Sequence, residues 1–436
     1  MREECIKKEY YPLFSFQKRL YYYQQLQPTS IVNNIPIILE IKGIIVPDYH
    51  RIEDIFIKLI QRYDSLRLSF HIQNGVPYQK VNDNLKFQID FADLRDMNIP
   101  ESDYSNLIAD FIKPFDLLNP PLFRVKLCRT GGNKYLLMLD FHHIISDRES
   151  VFIILKDFIK LYFGRQLGQV KMQFTEYVDF VCNEDTRSKI DFWVNELQSR
   201  TQKVNLPYDF EQSSARSFEG ESIEVNIDSE VKRKMEHLAK QENCTMFTLM
   251  LSLYNVLLAK ISGQSDIVVG TMSAGRNYSE SEIPGTFTTP LVLRNYPSND
   301  KTFTTFLHEV KDNMLKVFEN ITYNYEDVLK HLETKDFTDE SSLYNLSFGY
   351  VDDPGNFMTM PGVSIRNISI PSKISKFDIN FKATNKGNNI EIKVIYCSRL
   401  FLRETIEKIF AQFIPLINLV LENPEKRISD LTLGTP

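Results

Sequence analysis

Two adjacent histidines, His142 and His143, stand five and four residues ahead of Asp147 in the stretch Leu139-Asp140-Phe141-His142-His143-Ile144-Ile145-Ser146-Asp147-Arg148-Glu149-Ser150. Imidazole changes charge near neutral pH, so small changes in its surroundings make it a proton carrier. Neighbouring residues on a strand point to opposite faces, so the two rings have different jobs and do not share one ion; with no cysteine pair nearby, no metal site is expected. There is also a purely local reading. Ser146 followed by Glu149 matches a capping box, and Asp147 is a second capping candidate, so both residues could simply satisfy free backbone N–H groups.

The elements around this stretch decide how it is held. Lys134 to Phe141 follows the turn signal Gly131-Gly132-Asn133 and is rich in large apolar residues, which predicts a buried strand. Val151, Ile154, Leu155, Phe158, Ile159 and Tyr162 recur at helical spacing, so a helix starts near Asp147. Histidines at such a junction are anchored by rigid backbone on one side and reach a cleft on the other, which suits a base that must meet a proton. A second charged group, Arg62-Tyr63-Asp64-Ser65-Leu66-Arg67, closes an amphipathic helix running from Asp48. Its arginines either form weak surface pairs or grip a buried carboxylate with two parallel bonds.

The chain of 436 residues exceeds what one core usually supports, so two lobes are expected. A net charge of −6 without long runs of one sign argues against nucleic acid as the partner. Five widely spaced cysteines, Cys5, Cys128, Cys182, Cys244 and Cys397, fit reduced thiols and a cytoplasmic setting. The apolar stretch Met246 to Ile261 is interrupted by Ser252, Asn255 and Lys260 and reads as a buried helix, not a membrane span.

Strands are expected at Pro36–Ile41, Leu66–Ile72, Gln79–Val81, Leu122–Cys128, Ser222–Ile227, Ile267–Gly270, Leu343–Tyr350, Asp378–Lys382 and Asn389–Tyr396. Helices are expected at Tyr104–Phe111, Lys189–Leu197, Ser229–Glu242, Thr245–Ile261 and, as one final element, Arg403–Leu421. Strands and helices alternate, giving the α/β class. Leu206 to Gly220, rich in serine, glycine and charge, is the best linker candidate. The glycine- and proline-punctuated stretch from Ala274 to Leu291 is a loop of a length usually tied to function.

Six segments, in order, carry a family resemblance. His142-His143-Ile144-Ile145-Ser146-Asp147 matches the HHxxxD core of condensation domains of nonribosomal peptide synthetases, in the chloramphenicol-acetyltransferase-like superfamily. Gln17-Lys18-Arg19-Leu20 resembles the end of their SxAQxRL segment, and Arg62 to Arg67 resembles RHDxLR with Tyr63 in place of histidine. Tyr177-Val178-Asp179-Phe180 is similar to YxDFA, Gly285-Thr286-Phe287 to the start of GxFVNT, and Ser375-Lys376-Phe377-Asp378 to SKFDL. Thr288, Thr289 and Pro290 depart from the rest of GxFVNT.

The resemblance implies a V-shaped pseudo-dimer of two such lobes, residues 1–185 and 186–436, with a tunnel between them. A floor loop at about 270–292, carrying Gly285 and Thr288, and a latch at about 374–401 would belong to the second lobe. Donor and acceptor peptidyl carrier proteins would dock at the two tunnel mouths and present thioesters on phosphopantetheine arms, with an adenylation domain as neighbour. The chain would be a monomer that binds no cofactor or metal itself. His143 would stand at the meeting point of donor and acceptor, and His142 would pack or hydrogen-bond. Asp147 would form a structural ion pair with Arg62.

One departure concerns the acceptor side. The family motif usually continues with glycine after the aspartate, whereas this chain has Arg148. Its guanidinium would narrow the acceptor channel, compete for Asp147, bind an acceptor carboxylate, or turn outward with little effect. His142 argues against heterocyclisation relatives, which have aspartate there, and the DFGWG segment of plant-type alcohol acyltransferases is missing. Epimerisation domains share HHxxxD. Amide-forming condensation leads; a non-catalytic domain that recruits a carrier protein or tailoring enzyme is the alternative, and Arg148 is its main support.

Overall fold

In the computed structural model the histidine pair stands at the end of the strand Lys134–His142, buried along nearly all of its length. The structure describes residues 8–43, 47–95, 104–198, 203–211, 217–276, 282–321, 325–332, 343–353, 363–368 and 374–432. The chain forms two units. The first comprises Met1–Asp185, Ala274–Thr288 and Asn356–Ile370, and the second Thr186–Ser273, Thr289–Gly355 and Pro371–Pro436.

In the first unit Lys134–His142 is the middle strand of five, in the order Val363–Asn367, Asn34–Gly43, Lys134–His142, Phe123–Arg129, Asp90–Asp93. All pairs are antiparallel except the last. Side chains alternate across a strand. Tyr135, Leu137, Leu139 and Phe141 therefore enter the main core with the helices Tyr49–Arg62 and Arg148–Tyr162. Leu136 and Met138 face the other way, onto Ile38, Cys128 and the helix Tyr104–Phe111. Burial on both faces is why the strand reads as a continuous apolar run. A smaller sheet of Tyr10–Pro12, Val76–Val81 and Leu68–Gln73, the helices Ser15–Leu26 and Phe174–Cys182 and the short 3-10 helix Asp64–Arg67 complete the described elements of this unit.

The second unit has its own core around a six-stranded sheet, ordered Thr289–Asn295, Ile267–Ser273, Leu346–Asp352, Ile379–Asn385, Ile390–Cys397, Gly220–Ile227. Leu346–Asp352 runs parallel to both of its neighbours. The helix Met246–Ser262 is buried on most sides, capped by Thr245 and ended by Gly263 at φ +69°. Among the described residues no single helix is long and apolar enough to cross a membrane.

Four expectations need correction. Leu206–Gly220 is not a linker between units: Leu206 is buried in the second core and the Tyr208 hydroxyl donates to Asp378 at 2.7 Å, while residues 212–216 lie outside the described residues. The ends of the expected floor loop, 270–273 and 289–292, are paired strands of the second unit, and only Ala274–Thr288 belongs to the first; residues 277–281 lie outside the described residues. The late segment that joins the first unit's sheet is Val363–Asn367, whereas 374–401 stays in the second unit as two sheet strands. The final helix is two, Arg403–Ala411 and Phe413–Glu422, because Pro415 has no N–H to donate back to Ala411.

Glu40 anchors the late strand. Its buried carboxylate meets Lys42 and Lys134 at 2.9 Å each and Arg366, on Val363–Asn367, at 3.0 Å. Burial raises its pKa, but Lys134 and Lys42 together outweigh that and leave it below the usual value. A depressed folded pKa stabilises above the unfolded value, and the contribution fades as pH falls below about 4. Glu40→Gln is expected to cost roughly 1–3 kcal/mol at neutral pH. It should also speed amide hydrogen exchange in Val363–Asn367; unchanged exchange there would remove this role for Glu40.

Candidate active site

Backbone contacts decide which nitrogen of each histidine carries the proton. His142 is fully buried, and its Nδ1 accepts from the Ile144 backbone N–H at 3.1 Å. Its proton therefore sits on Nε2, which donates to Gln24 Oε1 at 3.2 Å. The ring also meets Phe115 edge-on, with centroids 6.0 Å apart. His143 is the reverse. Its Nδ1 lies 2.9 Å from the Ser146 carbonyl oxygen, which only accepts, so Nδ1 donates and the lone pair is on Nε2. The half-buried ring rests edge-on against Phe16 at 5.2 Å, and its backbone N–H donates to the Asn33 carbonyl at 2.8 Å.

Asp147, not Ser146, caps the helix Arg148–Tyr162, accepting from the Ser150 N–H at 2.8 Å and the Ser150 hydroxyl at 2.7 Å. Its ion-pair partner is Arg276, not Arg62. The guanidinium reaches Asp147 with two bonds, Nη1 to Oδ2 at 2.7 Å and Nη2 to Oδ1 at 2.9 Å, and both side chains are buried. Arg276 Nη2 also donates to Ser150 Oγ at 2.7 Å and the Gly285 carbonyl at 3.2 Å, and the Phe287 N–H donates to Asp147 Oδ2 at 3.0 Å. Ala274–Thr288 is thus tied to the motif by charge-assisted bonds.

Two glycines make this packing possible. A Cβ on Gly285 would lie 2.1 Å from the Phe174 ring, and one on Gly275, at φ +64°, would lie 1.8 Å from the Phe287 carbonyl oxygen. Phe287 fills the space beneath, with its ring centroid 4.8 Å from that of Tyr177 and 5.2 Å from that of Phe174. This is how the GxF and YxDF segments meet. Thr288 is half-buried at the end of the same segment.

Arg62 is a correction with a simple cause. It ends its helix 3.5 Å from Asp157, ten residues beyond Asp147 on the motif helix. Ten residues of helix span about 15 Å, so one guanidinium at that site does not serve both carboxylates. Asp157 also takes the Tyr63 hydroxyl at 2.5 Å and Lys160 at 2.9 Å. Burial, and after it the bond to Asp157, push the Tyr63 phenol well above its ordinary range. Asp64 is buried and accepts from the Phe174 N–H, the Thr175 N–H and the Thr175 hydroxyl, at 3.2, 2.9 and 2.6 Å. Burial still raises its pKa against those bonds.

Gln17 supports the loop from below, donating from Nε2 to the Ile144 carbonyl at 3.1 Å and to Gln79 Oε1 at 2.9 Å. Arg148 is exposed at the first turn of the motif helix, its guanidinium 5.4 Å from the centre of the Phe152 ring one turn on. It does not compete for Asp147. Among the described residues no cluster of three His, Cys, Asp or Glu side chains is placed to hold a metal.

The two arginines make opposite predictions. Arg276→Ala strips a buried carboxylate of its counter-ion and is expected to cost about 3–5 kcal/mol in urea unfolding. Arg62→Ala leaves Asp157 with Tyr63 and Lys160 and is expected to cost about 1 kcal/mol or less. Equal losses would contradict this assignment of partners.

The condensation-domain family model matches residues 7–436. Bacitracin synthase 3 of Bacillus licheniformis is 32% identical over 430 residues, which is 98% of this chain and 7% of that protein. Gramicidin S synthase 2 of Aneurinibacillus migulanus is 32% identical over 431 residues, 98% of this chain and 10% of that protein. The chain therefore spans a small part of the length of these relatives. Among solved structures, the X-domain from teicoplanin biosynthesis has a TM-score of 0.86 at 19% identity, covering 99% of each chain. A four-domain nonribosomal peptide synthetase bound to AMP and glycine has a TM-score of 0.87 at 22% identity, covering 100% of this chain and 35% of that one. Those likenesses speak to fold, whereas the sequence match runs almost the full length: the chain belongs to the condensation-domain family of nonribosomal peptide synthetases.

Proposed function

We propose that this domain forms an amide bond by attack of an acceptor amine on a donor acyl or peptidyl thioester. Both substrates are presented on the phosphopantetheine arms of carrier proteins, which are its principal partners, with an adenylation domain as neighbour. It acts in the cytoplasm as a monomeric unit and holds no cofactor of its own.

The observation that carries the reading is the orientation of His143. An amine attacks only through its nitrogen lone pair, and the tetrahedral species must lose an ammonium proton before it collapses to amide and thiol. With Nδ1 donating to the Ser146 carbonyl, Nε2 presents the lone pair that accepts this proton or holds the amine N–H in line. The proton then goes to the leaving sulfur, so the imidazole is unchanged after each cycle. His142, locked by Ile144 and Gln24, supports the loop and takes no proton. Asp147 acts through structure, joining the motif helix to Arg276.

Arg148 gives a second reading its one specific support. Where the family pattern has glycine, the exposed guanidinium either meets an anionic acceptor or marks a domain that recruits carrier proteins or a tailoring enzyme without catalysis.

Intact-mass measurement of an acceptor carrier protein, after mixing with a loaded donor carrier, separates these readings. Wild type is expected to transfer the acyl group, and His143→Ala to lower the rate by about 10²–10⁴. If several loaded pairs give no transfer, the chain still binds a carrier, and Arg148→Gly gains activity, the recruiting reading replaces the catalytic one.

A further inference from the structure

Asp140 lies two residues before His142, fully buried on the strand face that carries Leu136 and Met138, and has no part in the transfer described above. Its Oδ2 accepts from Asn34 Nδ2 at 2.8 Å, and the same Asn34 nitrogen donates to the Lys113 carbonyl at 2.9 Å. Its Oδ1 is buried without a hydrogen-bond partner. Arg124, opposite it on the neighbouring strand, is an incomplete counter-ion: Nε stays 3.7 Å from Oδ2. The other guanidinium nitrogens point to the carbonyls of Phe111 at 3.4 Å and Pro114 at 3.2 Å.

This cluster touches the histidine pair in two ways. The Arg124 guanidinium lies 3.8 Å over the Phe115 ring, which also packs against His142. Asn34 directly follows Asn33, whose carbonyl receives the His143 backbone N–H. Burial pushes the Asp140 carboxyl up to about 7, against the pull of Arg124 and Asn34. The charged or titratable groups on this face include Arg124, Lys126 and Cys128 on the neighbouring strand, Tyr104 on the covering helix, His142 on its own strand, and Asp90, which acts on Arg124.

We propose that Asp140 is a positioning residue for His143: in its charged form it holds Asn34, and through the adjoining Asn33 carbonyl it fixes the backbone of the base. A hydrogen bond to a carboxylate is roughly twice as strong as one to a neutral acceptor. Proton uptake by Asp140 therefore loosens the Asn34 contact and leaves Arg124 without its balancing charge. Both effects set in as pH falls through neutrality.

The inference rests on the amide-forming reading for its kinetic test but not for its structural one. In the acyl-transfer assay, wild type is expected to lose rate on the acid side more steeply than Asp140→Asn, which has no carboxylate to protonate at that position. Asp140→Asn keeps an acceptor for Asn34 without the charge; its acid limb is expected to be shallower than that of wild type, with a plateau within about tenfold of wild type. Asp140→Ala removes the acceptor and lowers the plateau further. An identical acid limb in wild type and Asp140→Asn overturns the proposal.

NMR of the whole chain gives a readout independent of turnover. The Asn34 side-chain amide and the His143 backbone amide are expected to share one transition near neutrality in wild type. In Asp140→Asn that shared transition is expected to vanish. If Asn34 moves and His143 does not follow, the proposal fails. If both move together but no carrier pair supports transfer, the catalytic reading fails and the positioning role stands.

Discussion

The buried pair between Asp147 and Arg276 is the constraint on which the rest of the site depends. A carboxylate at a helix N-terminus is already favoured by the backbone N–H groups there. Here it is also enclosed, and every contact around it is a donor: the Ser150 N–H and hydroxyl, two guanidinium nitrogens and the Phe287 N–H. Such a pair is weak evidence of net stability, because desolvation offsets most of the attraction, but once formed it is costly to break. Its effect is specificity. It fixes where Ala274–Thr288 meets the motif helix, and Gly285, Gly275 and Phe287 then have one arrangement open to them.

The histidines show the same economy at a smaller scale. Two identical side chains, adjacent in sequence, become opposite tautomers because one meets a backbone donor and the other a backbone carbonyl. No charged residue is needed to set this. His142 spends both nitrogens on the fold, whereas His143 gives its Nδ1 to the Ser146 carbonyl. The Gln17 bond to Ile144 and the Asn33 bond to His143 hold the turn between them, so the helix Ser15–Leu26 and the turn ahead of the strand Asn34–Gly43 both help set the angle of one imidazole.

Much of this was legible in the sequence because local periodicity encodes it. The strand Lys134–His142, the helix starting at Arg148 and the alternation of elements all follow from spacing and burial. The partner of Asp147 was not legible, because 129 residues separate it from Arg276 and no periodicity connects them. The arginine in the recognisable Arg62–Arg67 segment was the obvious choice, and only the rise of the motif helix shows that it arrives at Asp157. Arg276 did carry a signal: a lone cation between Gly275 and the GxF segment, in a loop too punctuated for regular structure. The late edge strand was missed for a similar reason, since Val363–Asn367 is short, largely exposed and defined by its pairing with Asn34–Gly43.

Arg148 remains the residue whose presence the fold does least to explain. A cation in the first turn of a helix opposes the helix dipole at a cost of about 0.3–1 kcal/mol, and a second guanidinium, Arg276, is already held at that terminus. Asp147 at the cap and Glu149 in the first turn already complement the positive end of the dipole. Contact with the Phe152 ring gives back about 0.5–1 kcal/mol at an exposed site, which at most cancels the cost. The dipole and the Phe152 contact together therefore give no reason to prefer arginine to a neutral residue here.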